Sequence, residues 1–467
     1  MNDSSSRHVF TVLCLSLGML ILLSSLPWGD LTGNKIKDFN IFEDLFPENK
    51  EIKITEETTT DPELENLLSE IENLQSNSSV NQPDNTPTAA RDSAINSKTT
   101  KSENAPRKDG HVAIENYTGA QSLSKFKQAL SESDQRLVRI AFLGDSFIEG
   151  DIFTQDLRHI LQEKYGGCGV GYMNLHSDFP GFRKTIRQGG SGWDTHDIRN
   201  LRKSDSIRTL SGEYAKSTPG AKTTFKGTPQ YSTTKSWERS TILFLCHDSA
   251  QIIIDGKDAR SFSYSPQVQA LTIEGIQKQL EIETDSHNIT ALGVYLDGKT
   301  GIQVDCMSVR GNSGISLRNI NAELNRQMSK WIDYDLIVLE YGINALNAEE
   351  NDYTAYGFAI TKAIEKIKQT YPNADILLMG IADRGAKAGT EVRSLPTCAA
   401  MVNTQRNVAK KTGVHFYDTR EAMGGESSVV EWRKRGFVNA DYIHLNHAGG
   451  REMANEFATA LNIALNE

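Results

Sequence analysis

The stretch Leu137-Val138-Arg139-Ile140-Ala141-Phe142-Leu143-Gly144-Asp145-Ser146 decides how the rest of the chain is read. Apart from Arg139 its first seven residues are apolar, and the run stops at Gly144, so it predicts a buried strand. Ser146 follows at once, and Ile152 to Lys164 then carry apolar side chains at helical spacing. A serine at such a junction has its Oγ at the strand's carboxyl end with a helix N-terminus behind it, where amide N–H groups and the helix dipole favour a developing anion. An ordinary N-cap serine suits the same place, so these residues alone do not name a chemistry.

Downstream, Ile302 to Val309, Leu336 to Leu339, Ile376 to Ile381 and Val414 to Tyr417 are strand-like. Helical patterns at Leu317 to Trp331, Tyr353 to Thr370, Thr397 to Lys411 and Ala448 to Leu465 separate or follow them. This alternation predicts a parallel sheet covered by helices on both faces, with its ligand site at the carboxyl ends of the strands. Between 178 and 301 the rhythm changes to short β-rich pieces such as SWERSTILFLCH, SAQIIIDGKDA and ALGVYLDG, punctuated by turn residues. They predict an all-β sandwich inserted after the first strand–helix unit. Trp193 and Trp237 within it suit either sugar-stacking platforms or its core.

Upstream, Val9 to Trp28 is an uncharged apolar run of the length that spans a bilayer. It ends in Leu26-Pro27-Trp28, a poor cleavage site, which favours an uncleaved signal anchor over a cleaved signal peptide. Arg7 before the run and Lys35 and Lys37 after it give only a weak orientation signal. From about Glu48 to Lys108 the sequence is rich in Glu, Asn, Ser and Thr and buries too little apolar surface to offset the entropy of ordering, so it predicts a flexible spacer. The expected organisation is thus an anchor helix at 1–30, a linker at 31–110, a catalytic domain at 111–177 and 302–467, and the β module at 178–301.

The 467 residues are 38% hydrophobic and 24% charged, and the formal charge of −10 argues against a general nucleic-acid binder. The five cysteines, at 14, 168, 246, 306 and 398, show no metal-ligand spacing, so no metal is expected. Buried thiols are expected ahead of disulfides, because a domain of this size needs no staples.

Near the C-terminus, Asp441-Tyr442-Ile443-His444 supplies what a serine nucleophile lacks. Histidine accepts the hydroxyl proton near neutral pH, and a carboxylate three residues earlier can fix its tautomer from the same loop. His447 is a nearby competitor, but it has no Asp at that spacing. Asn344, after the strand Leu336 to Leu339, can offer a side-chain N–H to an oxyanion, and Gly314, after the strand ending at Val309, a backbone N–H. The bland reading of both is a turn residue.

These four blocks, in the order Ser, Gly, Asn, Asp-x-x-His, resemble the SGNH (GDSL-type) hydrolase family. The resemblance implies a flavodoxin-like three-layer α/β/α sandwich, with Ser146 as nucleophile, Asp441 and His444 as its proton relay, and Ser146, Gly314 and Asn344 forming the oxyanion hole. Two departures stand out: Ala345 occupies the position of a second acid, and Gly311 competes with Gly314 as donor. Glu149-Gly150-Asp151, the run Gly166-Gly167-Cys168-Gly169-Val170-Gly171 and the inserted β module further resemble bacterial peptidoglycan O-acetylesterases. The glycine run lacks a P-loop Lys and is expected as a loop near the active-site mouth. The implied activity is removal of acetyl groups from peptidoglycan or another acetylated polysaccharide, without cofactor, by an enzyme tethered to the membrane with its catalytic domain outside the cytoplasm. An O-acetyltransferase using the same residues, or a glycan-binding scaffold without catalysis, remain as alternatives.

Overall fold

The computed structural model describes residues 105–467 except 200, 202–204, 350, 389 and 390. The expected anchor helix at 1–30 lies outside the described residues, as does nearly all of the linker. Among the described residues no helix is long and apolar enough to cross a membrane.

The chain combines an α/β part built on a parallel sheet with a separate antiparallel sheet. The strands of the first are β1 (Glu115–Asn116), β2 (Leu137–Gly144), β3 (Gly301–Ser308), β4 (Leu336–Glu340), β5 (Asp375–Met379) and β6 (His415–Tyr417). Their spatial order is β3-β2-β4-β5-β6-β1, parallel throughout except for the short edge strand β1. The chain leaves β2 in one direction to form β3 and returns to its other side for β4, so a switch point, where α/β sheets hold their ligands, lies at β2.

Side chains alternate between the two faces as strand geometry requires. Ala141, Leu143, Ile337, Leu339, Ile376 and Leu378 share one core with Leu324, Ile360, Ile364 and Met401. These four belong to α3 (Ala322–Ser329), α4 (Thr354–Thr370) and α5 (Cys398–Thr412), preceded in the chain by α1 (Ser124–Leu130) and α2 (Thr154–Tyr165). On the other face Ile140, Phe142, Val304, Val338 and Leu377 pack with Phe126 of α1, Leu157 of α2, Trp432 and Phe457. The last two lie on α7 (Ser428–Lys434) and α8 (His447–Leu465), with α6 (Thr419–Met423) ahead of them. The Phe457 ring stands edge-on to Phe142 at 5.9 Å, which brings the C-terminal helix back against β2.

Nine antiparallel strands between Gly171 and Asp297 form one hydrogen-bonded sheet. The strand Glu213–Gly227 pairs at Ala215 and Lys216 with Ala291 and Thr290, and further on, from Ala221 to Lys226, with Thr284 to Gln279. Its apolar interior includes Trp193 and Trp237, both buried, so neither is a surface platform for sugars. Trp237 Nε1–H is taken up by Ser240 and Gln277. The three β-rich pieces quoted from the sequence all contain strands. The two longest strands, Ile186–Asp197 and Glu213–Gly227, carry too many exposed polar and glycine positions for apolar alternation to reveal them.

The glycine run at 166–171 starts at the end of the sheet away from the active-site mouth and reaches mid-sheet at Gly171, where the next amide, of Tyr172, donates to Asp305 Oδ1. Gly166 O accepts from Ile302 N–H at 2.9 Å, and Ile302 pairs with Val138, near the start of β2. Six residues of strand, about 20 Å, separate this end from the carboxyl edge, where Ser146 follows β2. A Cβ on Gly169 would stand 2.1 Å from Leu296 O, so glycine serves close backbone approach there. Cys168, Cys246, Cys306 and Cys398 are free thiols, and burial pushes Cys306 up to about 11; Cys14 lies outside the described residues.

Candidate active site

Strand register assembles the site. Gly144 at the end of β2 stands opposite Ser308 of β3 on one side and Glu340 of β4 on the other. The turns that leave these three strands, carrying Ser146, Gly311 and Asn344, therefore emerge together. Ser146 does not sit on a helix N-terminus: a turn and a 3₁₀ segment, Glu149–Asp151, separate it from α2, which starts at Thr154.

The loop before α8 brings the relay. Asn439 N–H bonds to His444 O at 2.8 Å, and Tyr442 takes a left-handed φ of 57°, which folds the loop onto itself. His444 Nε2 lies 2.9 Å from Ser146 Oγ, and its Nδ1 lies 2.8 Å from Asp441 Oδ2. Asp441 Oδ1 accepts the amides of Ile443 and His444 at 2.9 and 3.0 Å. Against the cost of burial, the His444 ring and these amides hold the Asp441 carboxyl below its usual range. His447 turns away to Gln155, 2.9 Å from its Nδ1. The Ser–His–Asp chain has the contacts needed for base-assisted attack by Oγ.

The oxyanion donors differ from expectation at one position. The Gly314 amide donates to Asn312 Oδ1 at 2.9 Å and so is not a free donor. Glycine is needed there for space, since a Cβ would lie 2.6 Å from the Tyr341 ring in a backbone with φ of 84°. Gly311, on the turn nearer β3, has no such contact, and its amide has no hydrogen-bond partner among the described residues. Asn344 Nδ2 donates to Asp145 Oδ2 at 2.8 Å and more loosely to Asn312 O at 3.2 Å, the weaker bond being the one an oxyanion can replace.

Two residues whose roles sequence patterns did not show, Asp145 and Gln405, hold this arrangement. Asp145 Oδ1 accepts the Phe147 amide at 2.9 Å while its Oδ2 orients Asn344. Gln405 of α5 donates to Tyr341 O at 2.6 Å and accepts from Ile381 N–H at 3.0 Å, tying together the turns after β4 and β5. Glu340, fully buried beside Asp145, is pushed well above the usual carboxylate range by burial and then by the Asp145 charge.

Burial also pushes Asp145 up to about 7, opposed by the Phe147 amide, His444 and Asn344. Its unfolded value is near 3.8, so between about pH 4 and 7 the folded protein keeps a proton that the unfolded chain has released. The resulting stabilisation is complete below pH 4 and is lost as pH rises towards 7. Thermal unfolding from pH 4 to 8 should therefore show the Asp145→Asn variant gaining on wild type as pH increases. A Tm difference independent of pH would contradict this.

Beside the turn that carries Ser146 lies a cavity of about 170 Å³, lined by Gly150 and Arg310 from the carboxyl edge of the parallel sheet and by Phe182, Arg183, Thr195 and Glu213 from the region of the antiparallel sheet. An apolar cavity of about 150 Å³ admits benzene, so a six-membered ring fits this space. Thr195 Oγ1 and Arg183 Nε are buried without hydrogen-bond partners among the described residues. Phe179 and Phe182 stack at 5.4 Å near the cavity and are 56% and 43% exposed.

Residues 285–451 match the family described as GDSL-like Lipase/Acylhydrolase. That span contains Gly311, Asn344, Asp441 and His444, while Ser146 precedes it in the chain. No curated protein matches the chain. A solved peptidoglycan O-acetylesterase is 22% identical, over 76% of this chain and 99% of that one, with a TM-score of 0.61, a likeness that shows the fold. A family two carbohydrate esterase from Cellvibrio japonicus is 14% identical over 60% of this chain and 98% of its own, with a TM-score of 0.25. The acetyl xylan esterase AlAXEase is 19% identical over 34% and 81%, with a TM-score of 0.27.

Proposed function

We propose that this chain, a carboxylic ester hydrolase with a GDSL-like (SGNH) domain, removes acetyl groups from an O-acetylated glycan through an acyl-enzyme on Ser146. The observation that carries this reading is the unbroken contact chain Ser146 Oγ, His444 and Asp441 at the carboxyl edge of the parallel sheet. Ser146 attacks the acetyl carbonyl, and His444 takes the hydroxyl proton and returns it to the departing sugar oxygen. Asp441 holds the ring's tautomer and balances its charge. Water then repeats the sequence and releases acetate. The oxyanion donors in this reading are the amides of Ser146 and Gly311 and the Asn344 side chain, which strengthen as the carbonyl oxygen gains charge.

A carbohydrate substrate is supported by the ring-sized polar cavity with its stacked phenylalanines, and by the peptidoglycan O-acetylesterase of like fold. The finer architecture in this reading is a flavodoxin-like α/β/α sandwich carrying the antiparallel sheet as an inserted sandwich module. The apolar run at 9–28 would tether the enzyme, its catalytic domain outside the cytoplasm.

The test is acetate release from a panel of acetylated glycans, with an acceptor sugar added in parallel. Free acetate supports the hydrolase. Acetyl appearing on the acceptor would move the second step to transfer, and glycan binding without release of acetate would overturn the catalytic reading.

A further inference from the structure

We infer that Arg384 selects an acetylated glycan bearing a carboxylate, its guanidinium pairing with that carboxylate beside the ester. This rests on the glycan-esterase reading above and names the substrate's charge.

Arg384 lies on the catalytic edge, a few residues beyond β5, between the two loops that flank the nucleophile. Its neighbour Gly385 donates its amide to Tyr442 O at 2.9 Å, within the Asp441–His444 loop. Its own Nη1 reaches Ile343 O, next to Asn344, at a long 3.5 Å. No other hydrogen bond and no ion pair engages the side chain among the described residues, although it is only partly exposed.

Five other arginines show the contrast. Arg139, Arg158, Arg183, Arg406 and Arg420 are all largely buried, and each meets a carboxylate. A guanidinium has five N–H donors in a planar fork, and withdrawing it from water without an anion is costly. Burial, uncompensated, lowers the Arg384 pKa from its ordinary value. The one carboxyl among the groups acting on it is Asp441, whose oxygens are already taken by His444 and two amides. A substrate carboxylate would supply the missing bidentate partner. The chain's net charge of −10 gives an anionic polymer no general attraction, so recognition of one must be local, within about a Debye length of 10 Å.

Uronic acids and muramic acid or its peptide both present such a carboxylate, and neutral xylan does not. The test uses the full chain with 4-nitrophenyl acetate, acetylated xylan, O-acetylated alginate and O-acetylated peptidoglycan. Arg384→Gln should raise KM for a carboxylate-bearing polymer by about 10- to 100-fold, the range of a charged hydrogen bond, with kcat nearly unchanged. The loss on 4-nitrophenyl acetate should be much smaller than on the carboxylate-bearing polymer, and Arg384→Lys should recover part of the polymer loss. Preference for peptidoglycan assigns a muramoyl or peptide carboxylate, and preference for alginate a uronate. Equal losses on neutral and anionic substrates would make Arg384 a pin for the Ile343 carbonyl and overturn the proposal. So would wild type that deacetylates xylan as well as the charged polymers, which leaves the esterase reading intact. No acetate from any glycan would overturn both.

Discussion

Replacing Ser146 with alanine is expected to cut kcat/KM for 4-nitrophenyl acetate by about 10⁴- to 10⁶-fold, the range for loss of a relay-activated serine. The hydroxyl is the atom His444 addresses at 2.9 Å, and no other side chain in the described structure takes that place. What survives comes from binding and the oxyanion donors, which do not need Oγ. The substitution removes one hydrogen bond at the cleft and leaves the strand and its packing alone, so Tm should move little. Activity within tenfold of wild type in a well-folded variant would place the nucleophile elsewhere.

The second large effect concerns stability. Arg139, the one charged residue in the strand run 137–143, pairs with Asp297 at 2.5 Å and Asp305 at 2.8 Å, all three almost wholly buried. Asp297 ends the last antiparallel strand and Asp305 sits in β3, so one guanidinium joins the two sheets. Arg139→Met would leave two carboxylates buried without their cation, at a cost of about 3 to 5 kcal/mol. Urea unfolding should show that loss in the midpoint. Changing Asp297 and Asp305 to Asn in the same chain should restore much of it, because no uncompensated charge then remains. A single variant as stable as wild type would mean that water reaches the acids or that they take up protons at little cost.

Arg139 also marks where reading a sequence stops. Its strand is plain from the apolar run around it, yet a lone arginine there reads as an interruption, because its partners lie 158 and 166 residues away. Asp145 has the same history. Its place beside Ser146 is visible, but its role in orienting Asn344 depends on a contact 199 residues away along the chain.

Local chemistry is what the sequence settled by itself. Apolar runs bounded by glycine marked β2 to β6, helical spacing marked α2, α4, α5 and α8, and Asp441 three residues before His444 marked a relay that one loop can form. Each of these depends on neighbours within a few residues, and so survives in one dimension. The tertiary structure decided the rest. It showed that the Gly314 amide is occupied by Asn312 while that of Gly311 is open, that the glycine run starts at the far end of the sheet, that both tryptophans are core, and that Arg384 lacks a carboxylate. These are questions of which distant groups meet, and a hydrogen bond or an ion pair is decided within an ångström by the packing of the whole chain.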